Sequence, residues 1–421
     1  MAADIERIPE PQRTALVAAL QRLVGPGVSH RQAYSQFSEG SADRSLFVHN
    51  IDRPTESVLL ETAIFADRQG FMLHGEGSWR GIYARDAAFF LCRRVLEGES
   101  PSEAVSNLEK LISMDDANAV LVMPLGGVTI SHEVNLGNGI RIVPIETLPE
   151  NSQVRSIAEK YAQGQMEPGS QSFPPMEQKV ALICDKTVRP LLTRIVDGEF
   201  ERPDYSREAA ENLEDARLAL SLIGPSCPLS GGITLEYREP PLDDPYFWAG
   251  TRFQLSEVAP PAFVKAVEIS PDDATAVVSS VFSLDESFRA RIRLALQRFS
   301  QAMKRRPHGD RAIDLSIALE SLLVEGPGEL RYRLALRAAL LVDEPLEKRK
   351  EIRRTLADLY EVRSALVHDG VLPTRNFHGK KASEVVEDAT VVSARVLRSF
   401  LAAGKEPDWP NLELTGGMPA P

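Results

Sequence analysis

From Ser270 to Ala403 the chain carries no β-type run, only six long segments in which apolar residues recur every three or four positions. They run from Asp272 to Phe282, Asp285 to Lys304, Asp310 to Val324, Glu329 to Val342, Pro345 to His368 and Ser383 to Ala403. Helix breakers fall between them, at Pro307-His-Gly309, Gly326-Pro-Gly328, Asp343-Glu-Pro345 and Asp369-Gly370. Connections this short make consecutive helices antiparallel neighbours, so residues 270–404 are expected to form an all-α bundle and residues 405–421 a loose tail.

The sequence before Ser270 has a different texture, which predicts an α+β N-terminal region. Residues 1–118 read as mostly helical, with helices from Pro11 to Val24, Tyr83 to Leu96 and Ser102 to Met114. Residues 119–269 read as mixed α+β, either a separate unit or continuous with the first. Short β-branched runs bounded by Gly or Pro predict strands at Ala119 to Met123, Gly127 to Ser131, Gly139 to Pro144, Lys179 to Cys184, Gly231 to Arg238 and Phe247 to Leu255. A helix is expected from Arg207 to Ile223, and an exposed loop from Gly164 to Gln178.

Charge narrows the choice of partners. The net charge of −12 is uneven: residues 285–421 hold 23 basic against 20 acidic side chains, and the preceding residues hold 25 against 40. An acidic front repels nucleic acid, so any RNA contact is expected at a local cationic site in the C-terminal part. Cys92, Cys184 and Cys227 lie far apart without metal-ligand spacing and read as buried thiols. With no apolar stretch of membrane-span length and no secretory leader pattern at Met1, no membrane contact and a cytoplasmic address are expected.

Two charges stand where aliphatic residues belong. The stripe of Ile313 and Ile317 continues onto Glu320, and Arg337 fills a slot in the stripe of Leu330, Leu334 and Leu341. An unpaired buried charge costs on the order of 3–5 kcal/mol, so Glu320 and Arg337 are expected to pair or to orient a nearby site. The next helix ends Tyr360-Glu-Val-Arg363-Ser364-Ala-Leu-Val-His368-Asp369-Gly370. Gly370 puts His368 in the last turn, where unsatisfied carbonyls favour a cation. A histidine suits proton transfer, and a guanidinium with five donors suits phosphate. A helix-capping histidine beside a salt-bridged arginine is the structural alternative.

Other motifs carry less. His74-Gly-Glu-Gly-Ser-Trp-Arg-Gly81 lacks the ending of a phosphate loop and reads as a turn. His132-Glu133 has no second ligand nearby and reads as a polar strand end. His308 and His378 flank the bundle helices, and Lys304-Arg-Arg306 complements a helix C-terminus.

Three ordered blocks, Asp310 to Leu323, Glu329 to Leu341 and Tyr360 to His368, resemble the ApeA-like branch of the HEPN superfamily over about 110 to 120 residues. The resemblance implies a four- or five-helix HEPN-like bundle that homodimerises, with two Arg/His motifs meeting in one cleft. It implies a metal-independent endoribonuclease of a toxin or phage-defence system, with no cofactor and RNA as substrate. The alternative it implies is a non-catalytic dimerisation, nucleotide-binding or scaffold domain. Arg363 and His368 become the catalytic pair, Ser364 takes a slot that is often polar, and Tyr360, Glu320 and Arg337 support the site. Asp369 departs from the pattern, standing where relatives commonly carry Gly directly after the histidine. A carboxylate there either favours the imidazolium or repels an RNA phosphate. The N-terminal region is expected to regulate the bundle.

Overall fold

The computed structural model describes residues 7–24, 52–75, 79–164, 177–200, 207–242, 251–253, 266–324, 326, 328–342 and 344–416. The N-terminal region is α+β, as its texture predicts. A long antiparallel sheet has the order β10-β9-β3-β7-β6-β5. Its strands are β3 (Ala117–Gly126), β5 (Val134–Gly137), β6 (Ile140–Pro144), β7 (Gln178–Val188), β9 (Gly232–Tyr237) and β10 (Thr251–Phe253). The central strand β3 is apolar at nearly every position because both of its faces are covered. Ala119, Leu121, Met123 and Leu125 enter the main core. Val120 and Val122 enter a second core with Val143, Leu148, Val154 and Ile183.

A smaller antiparallel sheet, β2-β1-β8, joins β1 (Gly70–His74), β2 (Trp79–Ile82) and β8 (Leu192–Ile195). Helices α1 (Glu10–Gln21), α2 (Arg53–Leu60), α3 (Ala84–Leu96) and α4 (Pro101–Ile112) pack with one another beside it. Ser100 caps α4, accepting from the Glu103 amide. Helix α5 (Gln153–Ala162) closes the second core, and α6 (Glu208–Leu220) packs on β3 and β7. The expected strand from Gly127 to Ser131 shrinks to β4 (Val128–Thr129), which pairs in parallel with β11 (Val267–Glu268). Most of the expected Gly164 to Gln178 loop and most of the Phe247 to Leu255 strand lie outside the described residues.

From residue 271 the described chain is helical. It forms α7 (Pro271–Phe282), α8 (Glu286–Lys304), α9 (His308–Leu323), α10 (Leu330–Leu341), α11 (Leu346–Asp369), α12 (Ala382–Ala403) and α13 (Trp409–Thr415). Asp285 starts α8 by accepting from the Phe288 amide at 2.9 Å. Glycines in the left-handed conformation end α11 and α12, at Gly370 and Gly404. Helix α9 lies among α8, α11 and α12, while α10 packs against α11. No helix among the described residues is long and apolar enough to cross a membrane. All three cysteines are buried and none is in a disulfide.

Two expectations are corrected. The tail is not loose throughout, because α13 docks with Trp409 and Leu412 buried, at 2% and 3% exposure. Nor is the boundary at residue 270 a break in packing. Helix α7 lies against β5 and α6, and Arg293 of α8 makes two hydrogen bonds, at 2.6 and 2.7 Å, to the buried carboxylate of Asp215 on α6. One apolar core runs from Ile8 to Leu412.

Candidate functional site

The 24-residue helix α11 positions the candidate pair. Its buried stripe of Ile352, Leu356, Leu359 and Val362 fixes which side faces the bundle. With about 100° per residue, Lys350, Arg353, Ala357, Tyr360, Ser364 and His368 then fall within about 80° of one another on a second face. His368 is exposed in the last turn and has no hydrogen-bond partner among the described residues. Its chain neighbour Asp369 is also exposed, and Gly370 closes the helix by donating to the Leu366 carbonyl at 2.9 Å. Ser364 is half-buried, between Tyr360 and His368 on the same stripe.

Arg363 points elsewhere. Five positions on a helix separate two side chains by about 140° and about 7.5 Å along the axis, and Arg363 and His368 do not hydrogen-bond within one chain. The guanidinium sits 5.5 Å from the Tyr360 ring centroid, at the edge of the His368 face. Its Nε is buried without a hydrogen-bond partner. Toward it, from α9, comes Glu320. Burial raises the Glu320 carboxyl above its ordinary value, the Arg363 charge opposes that rise, and Oε1 is buried without a partner. Glu320 and Arg363 thus feel each other electrostatically without forming a direct ion pair.

Arg337 does not pair with Glu320. Its Nε donates to Glu413 of α13 at 2.8 Å, its Nη1 to the Leu323 carbonyl at 3.0 Å, and its charge lies 4.9 Å from the Trp409 ring centroid. The apolar stripe of α10 turns Arg337 toward the docked tail helix, whereas Glu320 faces α11. The partner was invisible in sequence because α13 was not expected.

One arrangement escaped the sequence reading. His378, in the loop after α11, has Nδ1 2.9 Å from Oδ2 of Asp358, a buried carboxylate on α11. The available signal was Asp358 itself, a carboxylate set among Leu356, Leu359 and Val362. His308 lies 3.4 Å from Glu387 of α12. Lys304-Arg-Arg306 ends α8, and Arg305 donates to Asp314 at 2.9 Å.

The N-terminal candidates are structural. His74 ends β1 and is buried, its Nε2 lies 2.7 Å from Thr193 Oγ1, and burial pulls its pKa down to about 4. That keeps the ring neutral within the β1–β2 hairpin. His132 bonds its neighbour Ser131, and Glu133 pairs with Arg141. Among the described residues no group of three or more His, Cys, Asp or Glu is placed to hold a metal ion.

On the N-terminal side of the pair, between the first turn of α10 and the middle of α11, lies a groove of about 1030 Å³. Arg331, Lys350, Arg353 and Arg354 line it, with Tyr332 and Tyr360. Scans against protein-family models, curated proteins and solved structures found no match to the chain. The chemistry of the site has to be taken from its own residues. A solvent-reachable imidazole at a helix end, a guanidinium one face away and a cationic groove upstream on the same helix can together hold and protonate an anionic substrate.

Proposed function

We propose that residues 270–404 form a HEPN-type domain and that the chain is a metal-independent endoribonuclease effector of the toxin or phage-defence kind, regulated by its N-terminal region. The observation that supports this most is the exposed, unpartnered His368 at the end of α11, on the stripe that carries Tyr360 and the groove cations. RNA supplies its own nucleophile. A base takes the 2′-OH proton, O2′ bonds to the adjacent phosphorus, and the bond to the 5′-oxygen breaks as that oxygen receives a proton. The products are a 2′,3′-cyclic phosphate and a 5′-hydroxyl. His368 serves as base or acid, and Arg363 offsets the charge that builds on the phosphoryl oxygens.

One imidazole does not perform both transfers in one step, and Arg363 leaves α11 on another side. A homodimer that sets two α11 ends against each other supplies the second histidine and brings one copy's Arg363 toward the other's His368. Val367 and Val371 flank His368 and are 54% and 63% exposed, the apolar surface such a contact needs. The same divergence favours a second reading, a bundle that dimerises and binds a nucleotide or RNA without cutting it.

The test is cleavage of a labelled RNA in excess EDTA by the full-length protein. The nuclease reading expects cyclic-phosphate ends, an inert all-deoxy strand, and a loss of at least 100-fold in His368→Ala and Arg363→Ala. Equal cleavage by wild type and both variants, or none by any, removes it.

A further inference from the structure

We infer that the groove between α10 and α11 is a docking track for single-stranded nucleic acid, seating the strand whose scissile phosphate reaches His368. The direction toward His368 rests on the nuclease reading, whereas the binding itself does not. A chain of net charge −12 turns most of its surface against a polyanion, yet this groove gathers four cations against one lining carboxylate, Glu329. The cations are available. Arg354 is exposed and has no hydrogen-bond partner among the described residues. Among the described residues Lys350 pairs with Glu347, exposed on both sides and therefore worth little. Arg331 shares Glu361 with Arg375, so one carboxylate faces two guanidinium groups.

The aromatic groups decide what kind of anion fits. Tyr332 is 51% exposed, with the Arg353 guanidinium 5.4 Å from its ring centroid. Tyr360 forms the far wall, half-buried. Flat rings among phosphate-binding cations are the arrangement on which unpaired bases stack, without regard to sequence. An acidic peptide uses the cations but leaves the rings idle. The helix start adds to the site: Glu329 sits at φ 50° before α10, no side chain caps the helix, and its first turn lines the groove. From Lys350 to His368 the stripe runs about 27 Å, which accommodates the few nucleotides at the lower end of single-strand site sizes, about 4.

The test uses full-length His368→Ala, so that the probe stays intact, and the fluorescence anisotropy of a labelled 15-mer oligouridylate across a salt series. Adding Arg353→Glu and Arg354→Glu raises Kd at least 10-fold and lowers the slope of log K against log salt by about 1.4, two phosphate contacts on a single strand. Adding Tyr332→Ala weakens binding several-fold with the slope unchanged. Lys348→Glu, a charge reversal about 120° around α11 from Tyr360, leaves Kd within twofold. A 15-mer oligodeoxyuridylate binds within threefold of the RNA. The inference falls if the double reversal binds like its parent, if Lys348→Glu weakens binding as much, or if polyglutamate competes as well as RNA at equal charge. These residues are exposed, and unchanged circular dichroism melts confirm that the variants fold. A wild type that never cuts RNA while the groove variants lose binding defeats the nuclease reading alone. Cutting by wild type with undiminished binding in the groove variants defeats this inference alone.

Discussion

Replacing Trp409 with Ala tests whether the chain's last helix is part of the bundle or an appendage. Trp409 is 2% exposed, its ring centroid lies 6.2 Å from that of Phe400, and the Arg337 guanidinium covers it at 4.9 Å. Truncating a buried aromatic side chain costs about 3–5 kcal/mol, and the lost cation–π contact belongs within that figure. Glu413→Gln keeps the shape and removes only the charge that Arg337 meets at 2.8 Å. Glu413 is partly exposed, so the expected loss is about 1–2 kcal/mol. Ending the chain after Ala403 removes both, takes buried Leu412 with them and uncovers Arg337, so the loss exceeds that of either change. Urea titrations followed by circular dichroism at 222 nm give the midpoints. If Trp409→Ala lies within about 0.5 kcal/mol of wild type, the docking of α13 is wrong. If Glu413→Gln leaves the midpoint unchanged, the Arg337–Glu413 contact does not help to hold α13.

Two further outcomes follow from buried groups. Asp52, at 1% exposure, has its carboxyl pushed up by burial from 3.8 to about 7. The native state holds that proton more tightly than the unfolded chain does, so its contribution to stability is full below about pH 3.8 and is lost as pH rises through about 7. The gap corresponds to a ceiling of about 4 kcal/mol, and Asp52→Asn should flatten the pH dependence of the urea midpoint between pH 5 and 8. An unchanged slope would show that Asp52 is ionised in the native protein. At the other end, a Cβ on Gly309 would lie 2.6 Å from Leu366 Cδ2, where α9 crosses the last turns of α11. Gly309→Ala should cost about 1–3 kcal/mol by overpacking, read as a lowered thermal midpoint, and an unchanged midpoint would mean that Leu366 moves aside freely.

Sequence periodicity located the bundle because its helices bury one stripe each and stop at glycine or proline. Helix α11 is the clearest case, with an aliphatic stripe ending in Gly370. The same logic misses β1, whose five residues Gly-Phe-Met-Leu-His are all buried and give no alternation, and α5, which buries only Val154 fully. Individual site residues were legible as residue types in the wrong environment, Glu320 and Arg337 among them, but their partners were not. Arg337 finds Glu413 76 residues away, and Asp358 finds His378 across a loop. The groove was illegible for a related reason. The basic stretch from Lys348 to Arg354 stands in the sequence, but only helix packing sets Lys350, Arg353 and Arg354 against Arg331 and Tyr332 of the preceding helix.

The bridge made by α7, Asp215 and Arg293 bears on how such a protein can be dissected. Cutting at residue 270 would strip β5 and α6 from α7 and leave the Asp215 carboxylate without Arg293, giving two sticky halves instead of two working parts. Among the described residues the two halves share one core, so regulation of the proposed kind passes to α11 through that packing, and hydrogen exchange in α8 is the place to read it.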